Sequence, residues 1–327
     1  MNAPQDPKSW NIETSLPRLT AFTMGDELAD MAAGRDDIVV LTADLMYSNG
    51  TKAFRDRHPQ RFYNLGIAEQ NMISVAAGMA ASGLTPYVST FASFASLLGA
   101  EQIRTDLAYP SMRVRILAHH AGIAMGFYGT SHHAVEDLAI MRAMAHMTVV
   151  SPCDGAAVRG ILRATADVPG PVYIRLGRGV EPVVYDTVPA FEPGRFVTLR
   201  QGKDATLIAT GLGVRASLEA ARKLEDEGMS VEVLDAVYVK PIDADGVVAS
   251  ARRTGAIMTV EEHNPHGGLG GAVAEVLAES GVPARFRRHA LPDDYALVAP
   301  PTHLYRHYGL TADGIAGRLR SMLQAGT

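Results

Sequence analysis

The chain has 327 residues, 47% of them apolar and 20% charged, with a formal net charge of −5. That mix belongs to a folded α/β protein of about two domains and lacks the basic surplus of a nucleic-acid binder. The single cysteine, Cys153, excludes an internal disulfide and a multi-cysteine metal site, and the longest apolar runs fall short of the ~20 residues of a membrane span.

Residues 1–19 carry no hydrophobic signal core, and with the single cysteine this implies a soluble cytoplasmic protein. Pro4, Pro7 and Pro17 interrupt any helix there, so the segment reads as an extended arm. A helix follows from Thr20, with Phe22, Leu28 and Met31 on one face and Gly34 at its end. Residues 37–44 form a buried strand, and 62–65 a short extended piece. Gly66 opens a long helix of small residues closed by Gly83. TPYVSTF is a strand, followed by a helix over 94–107. VRILAHHAG is a strand running into a glycine-rich loop, AGIAMGFYGTSHH. A helix over 136–145, the strand MTVVSPCD, the amphipathic helix DGAAVRGILRATAD and the strand PVYIRLGRG come next. EPVVYDTVPAFEPG has three prolines and no helical period, and reads as a linker. Beyond it, ATLIATG is a strand, GVRASLEAARKLEDEG a helix, VEVLDAVYVKPID one strand, AIMTVEEH another, and GGLGGAVAEVLAESG a helix that begins on glycines. The alternation predicts an α/β protein of two domains with mostly parallel sheets flanked by helices. The expected partition is an arm over 1–19, a first domain over 20–180, a linker over 181–194 and a second domain over 195–327.

Several features are candidates for chemistry. Gly211-Leu-Gly-Val-Arg-Ala216 follows a strand and opens a helix, as a shortened dinucleotide fingerprint would, with Asp235 as its acidic partner. The motif is short, and close helix–strand packing is the preferred reading. Gly267, Gly268, Gly270 and Gly271 precede a helix whose start could hold a phosphate. No Lys or Ser/Thr follows as in a phosphate loop, so a tight turn is preferred there. His119, His120, His132 and His133 lie in or beside the glycine-rich loop. Their adjacent pairs do not converge on a metal, and they read either as a polar pocket for a small substrate or as ordinary half-buried histidines. Glu69 sits in the first turn of a nearly uncharged helix. It is either a helix-dipole contact worth ~0.3–1 kcal/mol or a carboxyl group in an apolar pocket, suited to proton exchange with a bound heterocycle. Phe91 and Phe94 stand three residues apart in a chain only 6% aromatic, placed for the core or to stack on a flat ring.

Together these segments resemble the second and third domains of the transketolase family of thiamine diphosphate enzymes, over nearly the whole chain after residue 19. TADLMYSNGT is similar to the family's ADL-x-x-S segment, NLGIAEQNM to its G-I-x-E-[QH]-N motif and TFASF to its aromatic segment. GTSHHAVED is similar to the G-P-T-H-Q-x-x-E loop, VYIRLGRG to a late arginine segment, and EEHNPHGGLGGAVAEVLAE to the C-terminal domain. The resemblance implies a pyrimidine-binding domain followed by a C-terminal domain. It implies that Glu69 hydrogen-bonds the pyrimidine N1′ and favours the imino tautomer, whose 4′-nitrogen takes the proton from the thiazolium carbon. A two-carbon ketol unit then passes from a ketose or ketose phosphate to an aldose. The resemblance assigns Phe94, Phe91, Asp44 and Ile67 to the cofactor with Glu69. It assigns His132, His120, Arg178, Ser48 and Tyr128 to the substrate, with Arg178 on a distal phosphate and the two histidines moving protons or stabilising oxyanions.

The family's G-D-G…N motif for diphosphate and Mg²⁺ is absent from the sequence. The resemblance therefore implies an N-terminal partner subunit that holds most of the Mg²⁺ site, in an α2β2 assembly. Ala21 stands where the family has a phosphate-binding arginine, and Tyr128 where it has an aspartate on a sugar hydroxyl. Both departures imply an unusual sugar, less anionic, branched or otherwise modified. The rivals are the beta subunit of a 2-oxo-acid dehydrogenase, and deoxyxylulose-phosphate synthase, which carries its diphosphate domain on the same chain. The non-enzyme alternative is a nucleotide-binding regulatory subunit using Gly211–Ala216.

Overall fold

The structure is a computed structural model and describes residues 20–178 and 181–324. The arm expected over residues 1–19 lies outside the described residues. The first half holds α1 (Thr20–Ala33), β1 (Ile38–Thr42), α2 (Lys52–Arg57), β2 (Phe62–Asn64), α3 (Glu69–Ala81), β3 (Thr85–Phe91), a short α4 (Ala100–Gln102), β4 (Arg115–His119), α5 (Asp137–Ala143), β5 (Thr148–Val150), α6 (Gly155–Thr165) and β6 (Val172–Arg175). The second half holds β7 (Val197–Arg200), β8 (Ala205–Ala209), α7 (Gly213–Glu225), β9 (Val231–Asp235), β10 (Tyr238–Lys240), α8 (Ala244–Thr254), β11 (Ala256–Val260), α9 (Leu269–Ser280), β12 (Arg285–His289), α10 (Pro301–His307) and α11 (Ala312–Gln324).

The strands form two sheets, ordered β10-β5-β6-β4-β3-β1-β2 and β12-β11-β8-β9-β7. Every pairing among the described residues is parallel except β10 on β5 and β7 on β9. The two mostly parallel sheets agree with the sequence pattern. β1, β3, β4 and β6 are buried along their whole length, as central parallel strands under helices should be.

Three expectations need correction. VEVLDAVYVKPID is two strands, not one. β9 stays in the second sheet, while β10 crosses to the first and pairs Tyr238 with Val150 and Lys240 with Val149. The break falls at Ala236 and Val237, whose backbones bond to different sheets: Ala236 N–H donates to Ala209 O (2.8 Å), and Val237 O accepts from Ser151 N–H (2.8 Å). The helix expected over 94–107 is α4 between two π turns, Phe94–Leu98 and Ile103–Ala108. The long small-residue helix opens at Glu69 rather than Gly66, because Gly66 has φ +74° and turns the chain instead. α2, β7, α8, β12, α10 and α11 add to the elements expected.

One apolar cluster runs from Met24 and Leu28 of α1 through Val150 and Ile174 to Leu207, Met258 and Ile315, so both sheets share a core. A second cluster covers the other face of the first sheet, with Leu41, Met72, Ile73, Ile103, Leu138 and Met141. Two buried charges lock this frame. Arg115, the first residue of β4, donates to Ala166 O (3.1 Å), Val168 O (2.6 Å) and Gly170 O (2.8 Å), satisfying carbonyls beyond the end of α6. Burial pushes its guanidinium down to about 10, still cationic at neutral pH. Glu27 of α1 pairs with Arg159 and Arg163 of α6, each at 2.6 Å. Among the described residues, no helix is long and apolar enough to cross a membrane.

Candidate active site

In open parallel sheets, ligands bind beyond the C-terminal ends of the strands. In the first sheet those ends carry most of the residues singled out from the sequence. Asp44 follows β1, Gly66–Glu69 follows β2, Phe91 and Phe94 end and follow β3, His120 follows β4, and Arg178 follows β6.

A clasp sets the first two ends. Asp44 N–H donates to Asn64 Oδ1 (3.0 Å), Asn64 Nδ2 donates to Asp44 Oδ1 (3.0 Å), and Gly66 N–H donates to Asn64 Oδ1 (3.1 Å). The turn at Gly66 then delivers Glu69 as the first residue of α3, buried at the strand ends. Thr90 Oγ1 donates to Glu69 Oε1 (3.3 Å). The other carboxyl oxygen has no partner among the described residues. Ile67, two residues earlier, is 85% exposed. Ser48 is half-buried in the loop after β1. Its neighbour Asn49 donates from Nδ2 to Ser89 Oγ (3.2 Å), which fixes that loop to β3.

Thr90 is followed directly by Phe91, and a wall of rings begins there. The Phe91 and Phe94 centroids are 5.4 Å apart. His120 lies 4.5 Å from Phe91, and His132 lies 5.8 Å from Phe91 and 5.3 Å from Phe94. Tyr128 lies 4.9 Å from His132. Phe94 opens the first π turn, a conformation found disproportionately at functional sites. Asp44 and His120 have φ of 60° and 59°, the left-handed region, which costs ~1–3 kcal/mol for a residue other than glycine.

Burial, with the Arg178 guanidinium and His132 nearby, pushes the His120 imidazole down to about 3. Burial also lowers His132. Both are therefore neutral imidazoles at ordinary pH, able to donate or accept a hydrogen bond without carrying charge. Ser131 Oγ lies 2.9 Å from His132 Nδ1. Of the four clustered histidines only these two meet the phenylalanines; His119 and His133 are buried and make no ring contact with them. Asp44, Ile67 and Ser48 share the same end of the sheet and stand outside the wall of rings. Among the described residues, no group of three or more His, Cys, Asp or Glu is placed to hold a metal ion.

The two glycine motifs are accounted for by packing. A Cβ at Gly213 would meet Val260 Cγ1 and O at 3.0 Å. Asp235 is buried, accepting from the Tyr185 hydroxyl (2.8 Å) and the Cys153 thiol (3.6 Å), so it does not reach toward a ribose. At the start of α9, the Glu261 carboxylate already accepts from Leu269 N–H (2.7 Å) and Gly270 N–H (2.8 Å), the place an external anion would take.

Asn64 and Thr90 were not singled out from the sequence. Asn64 had a signal, an asparagine two residues before a glycine, which favours a side-chain-bonded turn. Thr90 had none. Taken together, a carboxyl group with one open oxygen, two phenylalanine rings and two neutral imidazoles suit a flat, weakly basic heterocycle and a polar substrate beside it.

The family model of the transketolase pyrimidine binding domain matches residues 19–182, and that of the transketolase C-terminal domain matches residues 194–315. The chain is 39% identical to a 6-deoxy-6-sulfo-D-fructose transketolase subunit of Clostridium sp., over 90% of this chain and 91% of that one. It is 37% identical to an apulose-4-phosphate transketolase subunit of Phocaeicola vulgatus, over 89% and 93%. A solved split gene transketolase, an inactive beta4 tetramer, superposes with a TM-score of 0.85 at 43% identity, covering 94% of this chain and 98% of that one.

Proposed function

Because the chain belongs to the transketolase family, we propose that it is the C-terminal subunit of a split transketolase, transferring a two-carbon ketol unit from a ketose or its phosphate to an aldose. The observation that carries this reading is the Glu69 carboxyl, with one open oxygen, bonded to Thr90 at the end of β3, where the Phe91–Phe94 pair begins. Those residues fit the pyrimidine of thiamine diphosphate, which supplies the carbanion chemistry when bound. Glu69 holds a proton against the ring nitrogen, and Thr90 orients its carboxyl. Phe91 and Phe94 offer apolar ring surface, and Asp44 and Ile67 border the pocket. His120 and His132, held neutral, take or give a proton at the sugar oxygens, and Arg178 attracts a phosphate. Residues 20–180 act as the pyrimidine-binding domain, 181–194 as the linker and 195–327 as the C-terminal domain, in a cytoplasmic protein.

Relatives named as transketolase subunits, matched over 93% and 91% of their own length, support placing the diphosphate and Mg²⁺ mainly on an N-terminal partner in an α2β2 enzyme. The inactive beta4 state of the related split-gene protein supports the same reading. An unusual sugar is supported by Tyr128, 56% exposed with its ring tilted against His132, and by relatives named for 6-deoxy-6-sulfo-D-fructose and apulose-4-phosphate.

The test is to co-purify the partner, measure thiamine diphosphate affinity, and assay ketol transfer over phosphorylated and unphosphorylated ketoses. The expected result is an inactive lone chain and an active complex, with Glu69→Gln lowering turnover by roughly 10²–10⁴-fold, the usual contribution of a proton-transferring group. Full activity without a partner would overturn the split reading. Best turnover on xylulose 5-phosphate would overturn the unusual-sugar reading.

A further inference from the structure

The loop that carries His132 is closed at its base and clamped from outside the first sheet. Gly122 N–H donates to Ala134 O (2.9 Å), and Ala134 N–H returns a bond to Gly122 O (3.0 Å). Below this base lies Glu262, which follows β11 and is buried. Its Oε1 accepts from Ile123 N–H (2.7 Å) and from the Tyr305 hydroxyl of α10 (2.9 Å). Gly122, at φ +64°, lies so close over this carboxyl that a Cβ would run into it. The neighbouring backbone continues the attachment. Arg175, ion-paired with Asp137 (2.8 Å), donates to Glu262 O (2.9 Å) and Ala134 O (3.0 Å), and Asn264 N–H donates to Val135 O (2.9 Å). Val298 and Pro301 close over Gly129 and Gly126.

We propose that Glu262 is a positioning residue for the reaction: its carboxyl, oriented by Tyr305, sets the base of the 122–134 loop and through it the place of His132 against Phe94. This rests on the reading that His132 meets the sugar. A buried carboxyl costs more desolvation than an apolar side chain of the same volume would, so a core need alone does not account for it. What it provides is an acceptor for a loop N–H that the loop's own bridge leaves unused. The second half of the chain thereby controls a residue of the first.

The experiment uses the complex with the partner subunit. Glu262→Ala is expected to raise the sugar KM about tenfold, the loss of one hydrogen bond to a buried acceptor. It is expected to leave thiamine diphosphate affinity unchanged and to speed amide exchange across 121–134. Glu262→Gln, whose side-chain carbonyl still accepts from Ile123 N–H, should recover most of that KM, and Tyr305→Phe should fall between. Unchanged KM with unchanged exchange in Glu262→Ala overturns the proposal, as does an equal loss of cofactor affinity and KM. If Glu262→Ala does not fold, Tyr305→Phe decides by the same two readouts. A wild-type complex that binds no thiamine diphosphate overturns the functional reading instead, and the exchange comparison still decides whether Glu262 holds the loop.

Discussion

Asp44 and His120 hold backbone conformations that only their surroundings can enforce. The Asn64 clasp enforces the first, and for the second the His120 N–H bond to Gly177 O (3.3 Å) and the Phe91 ring do so. Strain of this kind concentrates where side-chain direction matters. Phe94 is only half-buried, so truncating it removes ring surface from the pocket more than from the core. Phe94→Ala should weaken thiamine diphosphate binding by calorimetry about three- to tenfold, the value of one aromatic contact, with the melting temperature nearly unchanged. The buried carboxyl of Asp235 gives a pH signature. Burial pushes it from 3.8 up to about 7, against the Tyr185 and Cys153 donors that lower it. Between those values the folded chain keeps a proton that the unfolded chain has lost, so stability falls as pH rises through that window. His120 has the opposite sign: the unfolded chain gains a proton near 6.5 that the folded one refuses until about 3, so stability falls as pH drops through that range. Glu262, which burial pushes from 4.5 up to about 7, adds a decline of the same sign as that of Asp235, so melting curves should show Asp235→Asn reducing the first decline by Asp235's share while leaving the second. Glu69, Phe91, Phe94, His120 and His132 were legible because their motifs are short and local. Thr90 and Glu262 were not, since each acts on a residue remote in sequence (the Ile123–Glu262 bond spans 139 positions).

The same division holds for elements. Strands buried on both faces announce themselves as apolar runs; edge strands do not. β7 is half-buried, and β12, RFRRH, puts three arginines on a strand with one neighbour, the charged composition that keeps sheet edges from aggregating. The β9–β10 break carries no Gly or Pro at Ala236–Val237, so nothing local marks it. The π turns were equally silent, because a π turn is one extra residue in an otherwise helical sequence. Each extra residue rotates the rest of the helix by about 100° about its axis. Leu97 and Leu98, both 54% exposed in the first π turn, are therefore a place where deleting one residue should regularise the helix and misdirect Phe94. The expected outcome is unchanged helix content by circular dichroism with turnover about 100-fold lower, the scale of a 1 Å misplacement.

At the scale of the whole molecule, the alternation of strands and helices made two sheets legible but not that the second half contributes a strand to the first sheet. β10 covers the edge of β5, and its Lys240 Nζ donates to Arg142 O (2.8 Å) in the last turn of α5. Residues 20–180 produced alone should therefore expose the β5 edge and aggregate or melt without cooperativity. A sharp, reversible melt of that piece by calorimetry would contradict the shared core. The topology also bears on synthesis. A nascent chain has completed six strands of the first sheet once β6 emerges from the ribosome, yet the strand that closes its edge comes only after the linker, β7, β8, α7 and β9 have been made. The order in which this protein is translated and the order in which its first half can be finished are different, and for that interval β5 depends on whatever else is at hand to shield it.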